Sequence, residues 1–184
     1  MKKLLAVLAL GLASSLAFAQ GYGAVEVEDG ENRVTRADTI GTAVVVGIKD
    51  GAWQYSGKLS TSQAEWGNGS VTTGYEARVK RKFTNTHLGP YLGARLGERV
   101  ESTGNFSYYA IDAGLVVPVM AKFDLDLSYR YRNAFNNSNN FETNRYGIEG
   151  KYRLTKQDSL GLRYARSYND TEVNSWRVQY EHSF

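Results

Sequence analysis

The chain has 184 residues, with 22 Lys and Arg against 19 Asp and Glu, a net charge of +3, and no cysteine. The missing cysteines exclude a disulfide scaffold, a thiolate metal site and a cysteine-linked lipid anchor. The near balance of charge leaves no global basic field to attract nucleic acid, so no such partner is expected.

Residues 1–19 read "MKKLLAVLALGLASSLAFA": Lys2 and Lys3, an apolar run from Leu4 to Ala13, and the small-residue site Ala17-Phe18-Ala19. This pattern predicts a secretory signal peptide cleaved after Ala19. Its apolar run is too short for a membrane helix, and no stop-transfer flank follows it. Residues 20–184 are then expected to form one domain. They contain no further membrane-length apolar run, so hydropathy alone would place them in water.

The periodicity of that domain says otherwise. Helical spacing is scarce after Ala19, and alternation with period two recurs almost everywhere. Ten strands are predicted, over 22–29, 38–48, 52–61, 70–83, 89–101, 106–119, 123–135, 144–155, 159–169 and 173–184. The early ones are less regular ("YGAVEVED", "DTIGTAVVVGI", "AWQYSGKLST"). The clearest is "FDLDLSYRYRNAF", which sets Phe123, Leu125, Leu127, Tyr129 and Tyr131 against Asp124, Asp126, Ser128, Arg130 and Arg132. "RYGIEGKYRL" sets Tyr146, Ile148, Tyr152 and Leu154 against Arg145, Glu149, Lys151 and Arg153, and "SLGLRYARSY" repeats the form. Pro90 and Pro118 fall near strand ends, where a missing donor is best tolerated.

The connections alternate between two kinds. "KDG", "TNTH", "MAK" and "KQD" are short, whereas "GENRVTRA", "SQAEWGNG", "STGN" and "NNSNNFET" are generally longer and polar, with a compact "DTE" last. Short turns at one end and longer loops at the other are the rhythm of an outer-membrane barrel, with both termini on the periplasmic side. A soluble barrel also alternates, but it sends its apolar face inward and its charges to water. The composition of the two faces discriminates between them. Aromatic residues cluster at both ends of the apolar face: Trp53, Phe83, Phe123 and Phe184 on the turn side, and Tyr109, Tyr131, Phe135, Tyr146, Tyr168 and Trp176 on the loop side. Two such girdles around a band of Leu, Val, Ile and Ala fit a lipid-facing surface. The expected fold is therefore all-β, a closed antiparallel up-and-down transmembrane β-barrel of ten strands, with eight as the alternative if the first hairpin is dropped.

The opposite face is densely charged. The candidate lumen residues are Glu76, Arg78, Lys80, Arg95, Asp112, Asp124, Asp126, Arg130, Arg132, Glu149, Lys151, Arg153, Arg163 and Arg177. Unpaired buried charge is costly, so they are expected either to pair or to be hydrated one by one. Candidate pairings are Asp124 and Asp126 with Lys151 and Arg153, Glu149 with Arg130 or Arg163, and Arg177 with Glu26 or Glu28.

The final strand, "SWRVQYEHSF", carries Trp176, Val178 and Tyr180 on one face and ends on Phe184. It resembles the C-terminal assembly signal of bacterial outer-membrane β-barrel proteins, and the whole domain resembles the small barrels of the OmpA-like and OmpX-like group. His182 departs from the usual apolar choice, and those small barrels have eight strands. The resemblance implies residence in a Gram-negative outer membrane. It also implies contact with outer-membrane lipid, and with periplasmic chaperones and the barrel assembly machinery during biogenesis. A monomer is expected.

Chemistry is sparse. Of the two histidines, His87 falls in a turn and His182 near the same end on the lipid face. Ser183 cannot partner His182, because neighbouring strand residues point to opposite faces. No metal spacing or phosphate loop appears, so neither an enzyme nor a cofactor is expected. Two functions stay open: a structural or surface-interaction barrel with a largely filled lumen, and a narrow porin-like channel for ions or small solutes.

Overall fold

The computed structural model describes residues 20–64, 71–83, 88–102, 104–136, 141–170 and 172–184. The predicted leader and the turn that carries His87 lie outside the described residues. The strands are β1 (Gln20–Asn32), β2 (Asp38–Asp50), β3 (Trp53–Ala64), β4 (Val71–Lys82), β5 (Gly89–Glu101), β6 (Gly104–Met120), β7 (Phe123–Ala134), β8 (Thr143–Arg153), β9 (Asp158–Asn169) and β10 (Val173–Ser183). Each pairs antiparallel with its sequence neighbours, and β1 pairs with β10 to close the barrel.

The first hairpin belongs to the wall, so the barrel has ten strands and not eight. β1 is hydrogen-bonded on both edges, from Tyr22 to Asn32 against β10 and from Gln20 to Glu31 against β2. Without it the last strand would present an open edge, which lipid cannot satisfy. The β2–β3 turn is made possible by Gly51, whose φ of 54° is left-handed. Near Pro118 the β6–β7 register shifts, at the end of the strand where the lost donor matters least.

Register fixes which residues share a face. Val25, Val44, Leu92, Ile111 and Leu162 point outward and are each more than half exposed, while Glu26, Arg95 and Asp112 point inward and are buried. This inverts the distribution of a water-soluble protein. A continuous apolar outer wall around a charged interior is stable only in hydrocarbon, so the barrel spans a membrane. Its rings gather at the two rims. On the loop side Tyr129, Tyr146 and Tyr168 lie in sequence at 5.1 and 5.9 Å between centroids, and Tyr109 meets Phe135 at 5.3 Å. On the turn side Arg81 lies over Trp53 and Phe83, its stem along the apolar wall and its charge toward the headgroups.

Inside, three tyrosines lie flat across a glycine on the neighbouring strand: Tyr22 over Gly47, Tyr91 over Gly114 and Tyr108 over Gly97. In each case a Cβ on the glycine would overlap the ring. Gly97→Val is therefore expected to cost about 1–3 kcal/mol through overpacking. Gly57→Ala, with open space around the new methyl, should leave stability unchanged within about 0.5 kcal/mol. Urea titration of the refolded barrel, followed by gel mobility, compares the two.

Candidate functional site: the charged lumen

The parity of each strand carries the candidate charges to the inner wall. Glu76, Arg78 and Lys80 come from β4, Arg95 from β5, and Asp112 from β6. β7 supplies Asp124, Asp126, Arg130 and Arg132, and β8 supplies Glu149, Lys151 and Arg153. Arg163 on β9 and Arg177 on β10 complete the set. Lys58 and Arg145 share this wall; Lys58 did not stand out in the sequence because it is the lone charge of its strand, whereas Arg145 shares the polar face of β8 with Glu149, Lys151 and Arg153.

Direct cross-strand register places like charges opposite each other: Arg78 with Arg95, Asp126 with Glu149, Arg130 with Arg145, and Arg163 with Arg177. Like charges directly opposite repel, so apart from Asp112 and Arg130, which face each other across β6 and β7, the ion pairs of these residues form on the diagonal or skip one or more strands. Three groups result. At the centre Asp112 accepts from Arg95 Nε at 2.5 Å and Arg130 Nε at 2.9 Å, with Arg78 Nε 3.2 Å away. Arg95 also reaches Glu76 at 2.5 Å, and the Tyr108 hydroxyl donates to the same carboxylate at 3.2 Å. Across the barrel Arg177 links Glu26 at 3.2 Å to Glu149 at 2.8 Å, Lys58 donates to Glu26 at 2.5 Å, and Arg145 pairs with Glu28. On the turn side Glu181 is shared by Lys49 at 2.8 Å and Lys151 at 3.0 Å, and Arg153 grips both oxygens of Asp124.

Several partners therefore differ from those suggested by strand adjacency alone. Glu149 takes Arg177 in place of Arg130 or Arg163. Asp126 accepts the Tyr91 hydroxyl at 2.9 Å, and Lys151 goes to Glu181. The chord across a narrow lumen is short enough for long side chains to prefer a distant carboxylate over a like-charged neighbour.

The loop-side end of the lumen holds a residue that sequence reading assigned to an outward loop. Phe141 follows β7 and is almost fully buried. Its ring meets Phe106 edge-on at 4.8 Å and Tyr108 at 5.5 Å, with the Arg132 guanidinium 3.9 Å above its face and Arg99 at 5.4 Å. One aromatic inside the Asn-rich "NNSNNFET" was the available signal. Toward the turn side the lumen widens into a cavity of about 340 Å³, reached by Lys49, Lys80, Lys82, Lys151 and Arg163 among others.

On the closing strand Trp176, Val178 and Tyr180 face outward, and the Phe184 N–H donates to the Gly21 carbonyl at 2.9 Å. His182 has a local use: Nδ1 lies 2.8 Å from Asp158 Oδ1, which also accepts from the Tyr180 hydroxyl at 2.6 Å, and its ring meets Phe184 at 5.4 Å.

No family model and no curated relative matches the chain at the level of sequence. Solved structures match its architecture. The β domain of the Bordetella autotransporter BrkA aligns over 90% of this chain and 99% of that one, with a TM-score of 0.54 and 8% identity. The translocator domain of the autotransporter NalP from Neisseria meningitidis gives 0.52 at 10% identity, over 100% and 94% of the two chains. An outer membrane channel from Pseudomonas putida F1 gives 0.51 at 11% identity, over 92% and 97%. The chain has the fold of the outer-membrane β-barrels.

Proposed function

We propose that this chain is a monomeric, non-catalytic barrel of a Gram-negative outer membrane, with a structural or surface-interaction role and a filled lumen. The observation that carries this reading is the pair of obstructions stacked along the pore: the ion pairs around Asp112, and Phe141 in the mouth above them. Hydrated ions would have to displace both. Its standing partner is outer-membrane lipid. During biogenesis, periplasmic chaperones and the barrel assembly machinery would read Trp176, Val178, Tyr180 and Phe184. Refolded protein in a planar bilayer is expected to give no unitary conductance steps, and regular steps would overturn the reading.

A second reading is a narrow porin-like channel for ions or small solutes. It is favoured by the turn-side cavity, whose wall holds more Lys and Arg than Asp and Glu and so suits anions. The same recording separates the two, because a channel of this kind would show steps with a reversal potential shifted toward that of chloride.

A further inference from the structure

The carboxylates of the lumen are already committed. Asp112 serves three arginines, Glu181 serves two lysines, Glu149 holds Arg177 and Asp124 holds Arg153. Two cations that line the turn-side cavity, the buried Lys80 and the half-buried Arg163, have no ion pair among the described residues. Lys80 is only 9% exposed, and its ammonium rests 4.6 Å above the Tyr91 ring, with no ion pair or hydrogen bond among the described residues. Among the described residues Arg163 donates one bond, from Nη2 to Ser128 Oγ at 2.9 Å, and its Nε is buried without a partner. Both line the same cavity of about 340 Å³. Asp126 is within electrostatic reach of both and accepts the Tyr91 hydroxyl, but it forms no ion pair with either among the described residues. Lys82 and Lys151 add positive charge toward the mouth.

An unpaired cation held out of bulk water is expensive, and two of them facing one cavity ask for a mobile counter-anion. Chloride would satisfy one charge. A tetrahedral oxyanion offers several acceptors to an ammonium and a guanidinium fork at once. We propose that the turn-side vestibule is a binding site for a small phosphate-bearing solute that enters from the periplasmic end, with Lys80 and Arg163 as its deepest contacts. This goes beyond both readings above, because a blind vestibule and a conducting pore would each hold the site. Bilayer recordings therefore neither support nor remove it.

The test uses the full barrel refolded in a maltoside detergent, which brings no phosphate headgroup of its own. Inorganic phosphate is titrated at constant ionic strength, with chloride as the balancing ion, and the thermal midpoint is read from heat-modifiable gel migration. A saturable rise in midpoint is expected for the parent chain. Lys80→Gln and Arg163→Gln should each raise the half-saturating phosphate about tenfold or more. Without phosphate, Lys80→Gln should be about as stable as the parent, since it removes a buried charge that forms no ion pair among the described residues. The proposal is overturned by a midpoint that phosphate does not move, by the same half-saturation in both variants as in the parent, or by a phosphate-free Lys80→Gln barrel that is much weaker than the parent. The last outcome would assign Lys80 to the structure of the wall. A second assay, phosphorus NMR line broadening, covers a variant that refolds in low yield, with loss of broadening expected and parental broadening contrary.

Discussion

Asp112→Asn is expected to lower the unfolding free energy of the barrel by about 3–5 kcal/mol, the range for removing one partner of a buried ion pair. The substitution keeps the shape and removes the charge. Arg78, Arg95 and Arg130 then converge on a neutral amide, and among the described residues only Arg95 of the three retains a second carboxylate, Glu76. The lumen offers little water to replace the lost anion, because Asp112 and Arg95 are both buried. Asp124→Ala provides the contrast. Its partner Arg153 is nearly half exposed at the turn-side rim, so the loss should stay at or below about 1 kcal/mol. Urea titration in lipid vesicles measures both, and equal losses at the two positions would contradict the central role of Asp112. Adding Arg130→Leu to an Asp112→Leu background should recover part of the loss, since it removes one of the stranded cations.

Phe141→Ala should cost about 3 kcal/mol, the low end for a buried aromatic, because the site lies at a mouth where water can enter. Three contacts go at once: the edge of Phe106, the Tyr108 ring and the cation–π face for Arg132. Arg132 has no carboxylate partner among the described residues; its remaining polar contact is Thr143 Oγ1 at 3.4 Å. With the ring removed, its guanidinium turns to water and the loop-side half of the lumen becomes accessible. Because the chain contains no cysteine, a single Ala110→Cys reporter on the inner wall reads this directly. A membrane-impermeant thiol reagent added from the loop side should label it slowly in the parent background and faster with Phe141→Ala. Equal rates would show that Phe141 does not seal the mouth.

The sequence by itself settled the strands, because a β wall between lipid and a charged lumen must alternate at every residue, and a one-residue slip would put charge into hydrocarbon. That constraint is local and needs no partner, so "FDLDLSYRYR" discloses its two faces without a neighbour in view. The same logic gives the turn rhythm and the aromatic rims. A closed antiparallel barrel and a membrane setting follow from it, with ten strands counted and eight left open; the pairing of β1 with β10 decided for ten, through a first hairpin whose alternation in Val25, Val27, Glu26 and Glu28 is weak.

Pairing inside the lumen had no such local signature. Which carboxylate meets which cation depends on stagger and diameter, quantities that belong to the closed barrel and to no single strand. Adjacent strands suggested Glu149 with Arg130 or Arg163, yet register sets Arg163 directly beside Arg177, and Glu149 spans to Arg177. Phe141 likewise lies in a polar loop after β7, and its ring packs against Phe106 and Tyr108 on β6, contacts that the loop's own sequence does not disclose. Composition and period thus determined the wall, because each residue answers alone to lipid or lumen. The contents of the pore were decided only by tertiary structure, because long charged side chains choose partners by distances that exist only once β10 has met β1.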